Sequence, residues 1–329
     1  MRAVTNDDIV AHRLRQQESG QAMTRRVLVT GASGFIGYPT LRASATEGWE
    51  TTGFDLVRPE EGVDGVHFVT GNLANVDSLR AVLRDRKVDT IIHTGGISGP
   101  MLARDDPYLM CTTNVVGTLN LLEAARVTKV RRFVFLSSAQ AYGDTPLPPV
   151  PEDAPFRARD MYGTSKAAAD LLLRGYRGQY KLDAVALRIS NGYGPRRRTR
   201  EAIRTMLQDA LAGRPTALDF GGGYRRTYLY VKDAVSAIVA AVKAPAVKQP
   251  AYNVTGSQYL TMEAIADIIR RLVPGAKITL APGVDALGYR REQLDISAAR
   301  RDLAWTPEWS LERGIADYVE WLRKEARAS

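Results

Sequence analysis

The sequence predicts an α/β fold: a doubly wound parallel sheet with helices on both faces, and beside it a smaller, mostly C-terminal α/β domain. Two observations carry this reading. Short aliphatic and β-branched runs alternate with helical patterns from Val27 to Ile189. That alternation makes a parallel sheet with right-handed crossovers. The first run, Val27-Leu28-Val29-Thr30, turns through Gly31, Gly34 and Gly37 directly into a helical stretch. A strand, tight turn and helix in that order leave backbone N–H groups and a helix N-terminus open to an anion. Glycine suits the turn because a Cβ would block the approach of backbone to a pyrophosphate. The sheet is therefore of Rossmann type, and its ligands are expected beyond the carboxyl ends of the strands.

The elements follow in order. A helix is expected over residues 35–47 and a second strand over 51–55, ending in Asp55. Asp55 lies 24 residues after Gly31. A carboxylate there accepts hydrogen bonds from the adenosine ribose and repels a 2′-phosphate, which favours NAD over NADP. Arg58 is the one nearby feature that pulls the other way. A third strand, 66–69, leads to Asn72 and Leu73, then a helix over 76–85. The fourth strand, 88–93, ends at Thr94-Gly95-Gly96. A single long helix over 107–127 holds Asn114, and the fifth strand, 132–136, ends at Ser137-Ser138. Residues 146–155 read as a proline-rich loop. A helix over 159–180 carries Tyr162 and Lys166, and a strand over 184–189 follows.

Beyond Ile189 the alternation loosens. Helices are expected over 201–212, 233–242, 262–272 and 311–324, strands over 228–231 and 251–254, and a glycine turn at 221–223. The expected domains are residues 23–190 with 228–255 for the cofactor and 191–227 with 256–329 for the substrate. Residues 1–22 are polar, without a core pattern, and are expected to be a flexible extension; they lack the apolar stretch of a signal peptide.

Composition sets the limits. The chain has 329 residues, 45% apolar and 25% charged, as in globular enzymes. No apolar run reaches the roughly 20 residues of a membrane helix. A single cysteine, Cys111, excludes an intrachain disulfide and fits a reducing, cytoplasmic setting. Three scattered histidines leave no pattern for a metal site. The net charge of +9 points to an anionic small-molecule ligand. No stretch interleaves aromatic and basic residues as a nucleic-acid groove would. Most arginines, including the Arg196-Arg197-Arg198 run, read as solvated basic surface.

Tyr162 and Lys166 are four apart and share a helical face. Oxidising an alcohol requires a base for its proton as hydride leaves. A phenol serves only if its pKa falls, and a neighbouring ammonium and a nicotinium charge would lower it. Ser138, at a strand end, is placed to hold the substrate oxygen.

These residues together resemble the extended short-chain dehydrogenase/reductases, within the NAD-dependent epimerase/dehydratase group that includes UDP-galactose 4-epimerases. The resemblance rests on residues 30–37, on Asn114 with 117–125, on Ser137 through Gly143, on Tyr162 to Lys166, on 187–195 and on 226–233. It implies that Tyr162 is the acid/base, that Lys166 lowers its pKa and holds the nicotinamide ribose, and that Ser138 binds the substrate hydroxyl. Gly31, Gly34, Phe35, Ile36, Asp55, Arg58, Asn72, Leu73, Thr94, Gly95, Gly96 and Asn114 would form the NAD site. Ser98 and Gln140 would face a sugar, and Asn191 and Arg226 would grip a nucleotide-sugar diphosphate. A homodimer through a four-helix bundle, built from 107–127 and 160–180, is implied as well.

The chain also departs from that group. Its dehydratases carry Asp-Glu after the active threonine and its decarboxylases a Glu, where this chain has Ala139-Gln140. A neutral amide cannot relay a proton as a carboxylate does. The group's C-terminal arginine is not recognisable: Asp285 falls near its place, and Arg290 or Arg291 would have to substitute through a different loop. Two readings stay open. One is a sugar or nucleotide-sugar epimerase that returns its hydride. The other is a dehydrogenase of a free sugar, uronate or aldonate that releases NADH. A binding protein without catalysis is opposed by the intact Ser138, Tyr162 and Lys166.

Overall fold

The computed structural model describes residues 24–145, 148–283 and 289–328. The expected extension over residues 1–22 and the position Asp285 lie outside the described residues.

Seven strands form the main sheet: β1 (Arg26–Thr30), β2 (Glu50–Asp55), β3 (His67–Thr70), β4 (Thr90–His93), β5 (Arg132–Ser138), β6 (Ala184–Ile189) and, later in the chain, β10 (Ala251–Val254). Their order is β10-β6-β5-β4-β1-β2-β3, and every pairing is parallel. The order reverses between β1 and β4, and the crevice beyond their carboxyl ends is where such a sheet binds ligands.

Five α-helical segments lie between these strands up to β6: α1 (Gly37–Thr46), α2 (Val76–Asp85), α3 (Pro107–Cys111), α4 (Gly117–Val127) and α5 (Met161–Tyr180). Leu79 and Leu83 of α2, Leu121 and Leu122 of α4, and Leu173 of α5 pack on one face of the sheet. On the other face Leu41 of α1 packs with residues of α7 (Val231–Lys243) and α9 (Ser297–Leu303). A buried guanidinium fixes α5 against the sheet. Arg188 of β6 bonds both oxygens of Asp170 at 2.9 and 3.0 Å, and both residues have no exposed surface.

The expected single helix over 107–127 is a correction. It is two α segments joined by a π-helical turn over Thr112–Val116. The wider turn aims Asn114 into the protein, where it is buried.

After β6, apart from β10, α7 and α9, the elements pack as a second unit. A three-stranded sheet has β9 (Arg225–Tyr230) between β7 (Asn191–Tyr193) and β11 (Tyr259–Thr261). A two-stranded sheet pairs β8 (Thr216–Gly222) with β12 (Ile278–Pro282). Helices α6 (Ala202–Leu211), α8 (Met262–Leu272) and α10 (Leu311–Ala328) share one core with them, including Ile203, Met206, Ile265, Ile269 and Ile315. Strands β7, β8, β11 and β12 are not expected from the sequence. Each is short or only half-apolar, so no buried run marks it. Gly221 and Gly222 belong to β8, and the glycine turn begins only at Gly223.

Candidate active site

The glycine turn sits at the switch point. Gly31 has φ +68°, and a Cβ there would lie 2.6 Å from the Cα of Gly95 on the facing loop. A Cβ on Gly37 would lie 1.8 Å from the Gly31 carbonyl oxygen. No side chain caps the N-terminus of α1. Tyr38 donates to the Gly34 carbonyl at 3.1 Å and Pro39 has no N–H, so the donors left at the uncapped helix start, with its dipole, are those of Phe35, Ile36 and Gly37. That is the donor set a dinucleotide pyrophosphate requires, so the residues present fit the cofactor.

Asp55 ends β2 as expected from the sequence. Its Oδ2 accepts from the Ser33 N–H at 2.9 Å, which ties the acid to the glycine turn. Arg58 lies over the Phe68 ring at 5.6 Å, on the same rim. Asn72 turns its Oδ1 to the Ala74 N–H at 2.9 Å, and the Leu73 carbonyl accepts from Asn120 at 3.0 Å. Thr94 donates its hydroxyl to the Thr30 carbonyl at 2.7 Å, closing the β4 loop over the β1 turn.

Asn114 holds the same loop from behind. Its Oδ1 accepts from the Ile97 N–H at 2.8 Å, and its Nδ2 donates to the Ile97 carbonyl at 3.1 Å and to Ser165 at 2.9 Å. These bonds engage both its polar atoms, so it shapes the Thr94–Ser98 loop and locks it to α5.

Helix α5 starts at an Asp160 cap, whose Oδ1 accepts from the Gly163 N–H at 2.9 Å. Its first turns carry Tyr162 and Lys166. The Tyr162 hydroxyl bonds with Ser138 and with Ser98. Burial pushes the phenol above its usual range. The opposing influences are those two serines and the charges of Arg197 and Arg291. In the protein by itself the net shift is upward, with the hydroxyls and guanidinium groups as the counterweights. Burial lowers Lys166 to about 8. It donates to the Leu136 carbonyl at 2.9 Å, which leaves two of its three protons for other acceptors.

A small cavity leads from Ala139, next to Ser138, to Asn191, Arg226 and Arg291. Asn191 donates to the Thr227 carbonyl at 3.2 Å and accepts from Arg291 at 3.4 Å. Arg226 is cradled by Tyr224 at 5.0 Å and Phe220 at 5.4 Å. Arg291, on the segment after β12, thus lines the same cavity as Arg226. Gln140 is buried, with its Nε2 3.5 Å from Asp160 Oδ2. That carboxylate oxygen also accepts from the Tyr289 hydroxyl at 2.5 Å.

Sequence reasoning misses Asp160, Tyr289 and Arg197. Asp160, three residues before Gly163, is readable as a helix cap. Arg197 reads as solvated surface, yet it donates to the Gly192 carbonyl at 2.5 Å and lies 5.5 Å from the Phe35 ring. Tyr289 carries no local signal.

Comparison with known proteins agrees with this geometry. The chain is 34% identical over 318 residues to the UDP-glucose 4-epimerase of Mycolicibacterium smegmatis, covering 92% of this chain and 100% of that one. It is 28% identical to the dTDP-glucose 4,6-dehydratase of Neisseria gonorrhoeae, over 90% of this chain and 95% of the relative. The crystal structure of the Thermus thermophilus UDP-glucose 4-epimerase in complex with NAD superposes with a TM-score of 0.82 at 28% identity, covering 91% of this chain and 99% of that one. The profile of the NAD dependent epimerase/dehydratase family matches residues 27–255. A glycine turn open to a pyrophosphate, an acid at the end of β2 and a Ser–Tyr–Lys set on β5 and α5 are what that match spans, and the chain belongs to the NAD dependent epimerase/dehydratase family.

Proposed function

We propose that this protein is a nucleotide-sugar epimerase that inverts a hydroxyl-bearing carbon by removing and returning a hydride. One observation carries the reading. The cavity holding Arg226 and Arg291 opens beside Ser138, which bonds the Tyr162 hydroxyl. Two guanidinium groups suit a diphosphate, and an acid/base beside the same cavity is what the oxidation requires.

Bound NAD supplies the hydride acceptor, and in its reduced form the donor. The chain's own residues do the rest. Ser138 and Ser98 hold the substrate hydroxyl against Tyr162. Tyr162 takes the hydroxyl proton as the carbon is oxidised, and gives it back after the sugar has turned its other face. Lys166 holds positive charge beside the phenolate side of that exchange. Gln140 offers no carboxylate for eliminating water from a neighbouring carbon, which separates this site from the dehydratases that the family also contains. Arg291 on the same cavity as Arg226 supports a diphosphate-bearing substrate over a small unactivated one.

Incubation of the NAD-loaded protein with UDP-glucose tests this reading. The expected outcome is the 4-epimer with no net change in nicotinamide absorbance. NADH accumulating in proportion to substrate would instead identify a dehydrogenase.

The single cysteine supports placement in the cytoplasm, and among the described residues no helix is long and apolar enough to cross a membrane. Homodimerisation through α3–α4 and α5 is supported by apolar side chains on their outer faces. Tyr108 is 79% exposed and Leu171 is 55% exposed. Sedimentation of wild type as a dimer and of Leu171→Glu as a monomer would bear this out; a monomeric wild type would end it.

A further inference from the structure

A strongly cationic cavity lies at the other end of the sheet from the cleft, where β1 and β4 begin and α2 and α4 end. It has a volume of about 460 Å³. Six cationic side chains line it: Arg26, Arg80, Arg84, Lys87, Lys129 and Arg131. One carboxylate faces them, Asp89, and it is already engaged. It accepts from the Arg26 N–H at 2.9 Å and from the Thr90 hydroxyl at 2.8 Å. From outside the cavity, the exposed Asp77 reaches Arg80 at 3.4 Å. Arg84, Lys87, Lys129 and Arg131 form no ion pair among the described residues. The Arg80 Nε is buried with no hydrogen-bond partner.

Helix termini explain part of this charge but not all of it. Lys87 and Lys129 stand in left-handed conformation, φ 47° and 59°, just past the ends of α2 and α4. Cations there offset the negative ends of two helix dipoles, each worth about half a charge. With Asp89 and Asp77, the negative total is about −3 against six positive groups. A surplus of about +3 remains, concentrated in one concavity whose apolar surface comes from Leu83, Val88 and Val127. The volume falls in the range of small-molecule sites and is larger than one phosphate needs.

We propose that this cavity binds a small polyphosphate anion. The cations engage the phosphate oxygens as charge-assisted donors. The apolar wall is open to a base or to nothing, according to whether the ligand is a nucleoside polyphosphate or an inorganic one.

Calorimetric titration of the NAD-loaded protein with tripolyphosphate and with ATP, at constant ionic strength, tests the site. Saturable binding is expected, weakened about tenfold in Arg84→Gln/Lys129→Gln and retained in Arg226→Ala, which disarms the cleft. Both substituted positions are exposed and far from the cleft, so turnover is expected to stay at the wild-type level. If the double variant melts early, Arg131→Gln carries the same test at another exposed position. Tighter binding of ATP assigns the nucleoside form, and tighter binding of tripolyphosphate the inorganic form. No saturable binding of either, or binding lost in Arg226→Ala and kept in the double variant, overturns the proposal.

Discussion

The two walls of the cleft are built from different materials. The cofactor wall is backbone: Gly31 and Gly37, the bare N-terminus of α1, and the Gly95–Gly96 loop pressed against it. The substrate wall is long side chains: Arg197 after β7, Arg226 on β9 and Arg291 after β12. A backbone site works by leaving atoms out, so its residues are fixed in type and spacing. A side-chain site needs only that charge arrives, and an arginine can arrive from any nearby loop. The cofactor wall should therefore fail abruptly under substitution and the substrate wall by degrees.

Tyr162, where the walls meet, sets the upper end of the scale. Tyr162→Phe is expected to lower turnover by about 10³-fold or more while leaving NAD affinity within a few-fold, as loss of an acid/base group does. Stopped-flow turnover and NAD titration on the same preparation measure both. Undiminished turnover would remove Tyr162 from the chemistry.

The cofactor wall comes next. Gly37→Ala places a methyl 1.8 Å from the Gly31 oxygen, so the turn must open. A loss of about 3 kcal/mol in stability, with NAD affinity at least tenfold weaker, is expected. Gly62→Ala is the control, because that glycine has nothing within 4 Å of its Cβ position and lies away from α3, α4 and α5. There the same change should stabilise by about 0.4–1 kcal/mol. Thermal melts of the two variants moving in the same direction would contradict a wall defined by absent atoms.

The substrate wall should respond more mildly. Arg291→Ala removes one of the three arginines that line the cavity and is expected to raise KM for a nucleotide sugar about tenfold to a hundredfold. It should also move a pH profile. Arg291 helps hold the Tyr162 phenol down against burial. Without it the phenol rises further, and the acid limb of turnover shifts to higher pH. A changed KM with an unmoved acid limb would place Arg291 on the diphosphate alone.

The same contrast explains what can be read from the sequence. The order of strands and helices up to β6, the turn at Gly31–Gly37 and the pair Tyr162–Lys166 are legible because local geometry dictates them: a buried strand must be apolar, a pyrophosphate turn must lack Cβ atoms, and one helical face repeats every four residues. The π-helical turn is not legible, since Thr112 to Val116 breaks no helical pattern and the cause lies in the tertiary bonds of Asn114. Strands such as Asn191–Tyr193 owe their existence to pairing with β9, a partner 37 residues away at Asn191–Tyr228. The roles of Arg197 and Arg291 depend on which way a flexible side chain turns, and spacing does not encode that.

The smallest expected effect lies beneath the cofactor wall. His93 ends β4 and is fully buried, its Nδ1 2.7 Å from the Thr30 hydroxyl and its Nε2 3.0 Å from the Thr118 hydroxyl. Thr118 donates its one proton to the Asn114 carbonyl at 2.6 Å, so it must accept from His93. The imidazole therefore carries its proton on Nε2 and accepts from Thr30 at Nδ1. Burial and the Lys166 charge hold it neutral, with its pKa down to about 3. A histidine depressed in the fold is protonated first in the unfolded chain. Stability is thus lost as pH falls below the ordinary value near 6.5, by about 1.4 kcal/mol per unit. Between pH 6.5 and 5 that is about 2 kcal/mol. His93→Gln removes the titration, so its denaturant stability should fall about 2 kcal/mol less than that of wild type over the same interval. Equal losses would exclude His93 as the source. A difference confined to stability, with KM unmoved, would show that charge beneath the cofactor wall acts on the fold, whereas charge on the substrate wall acts on the ligand.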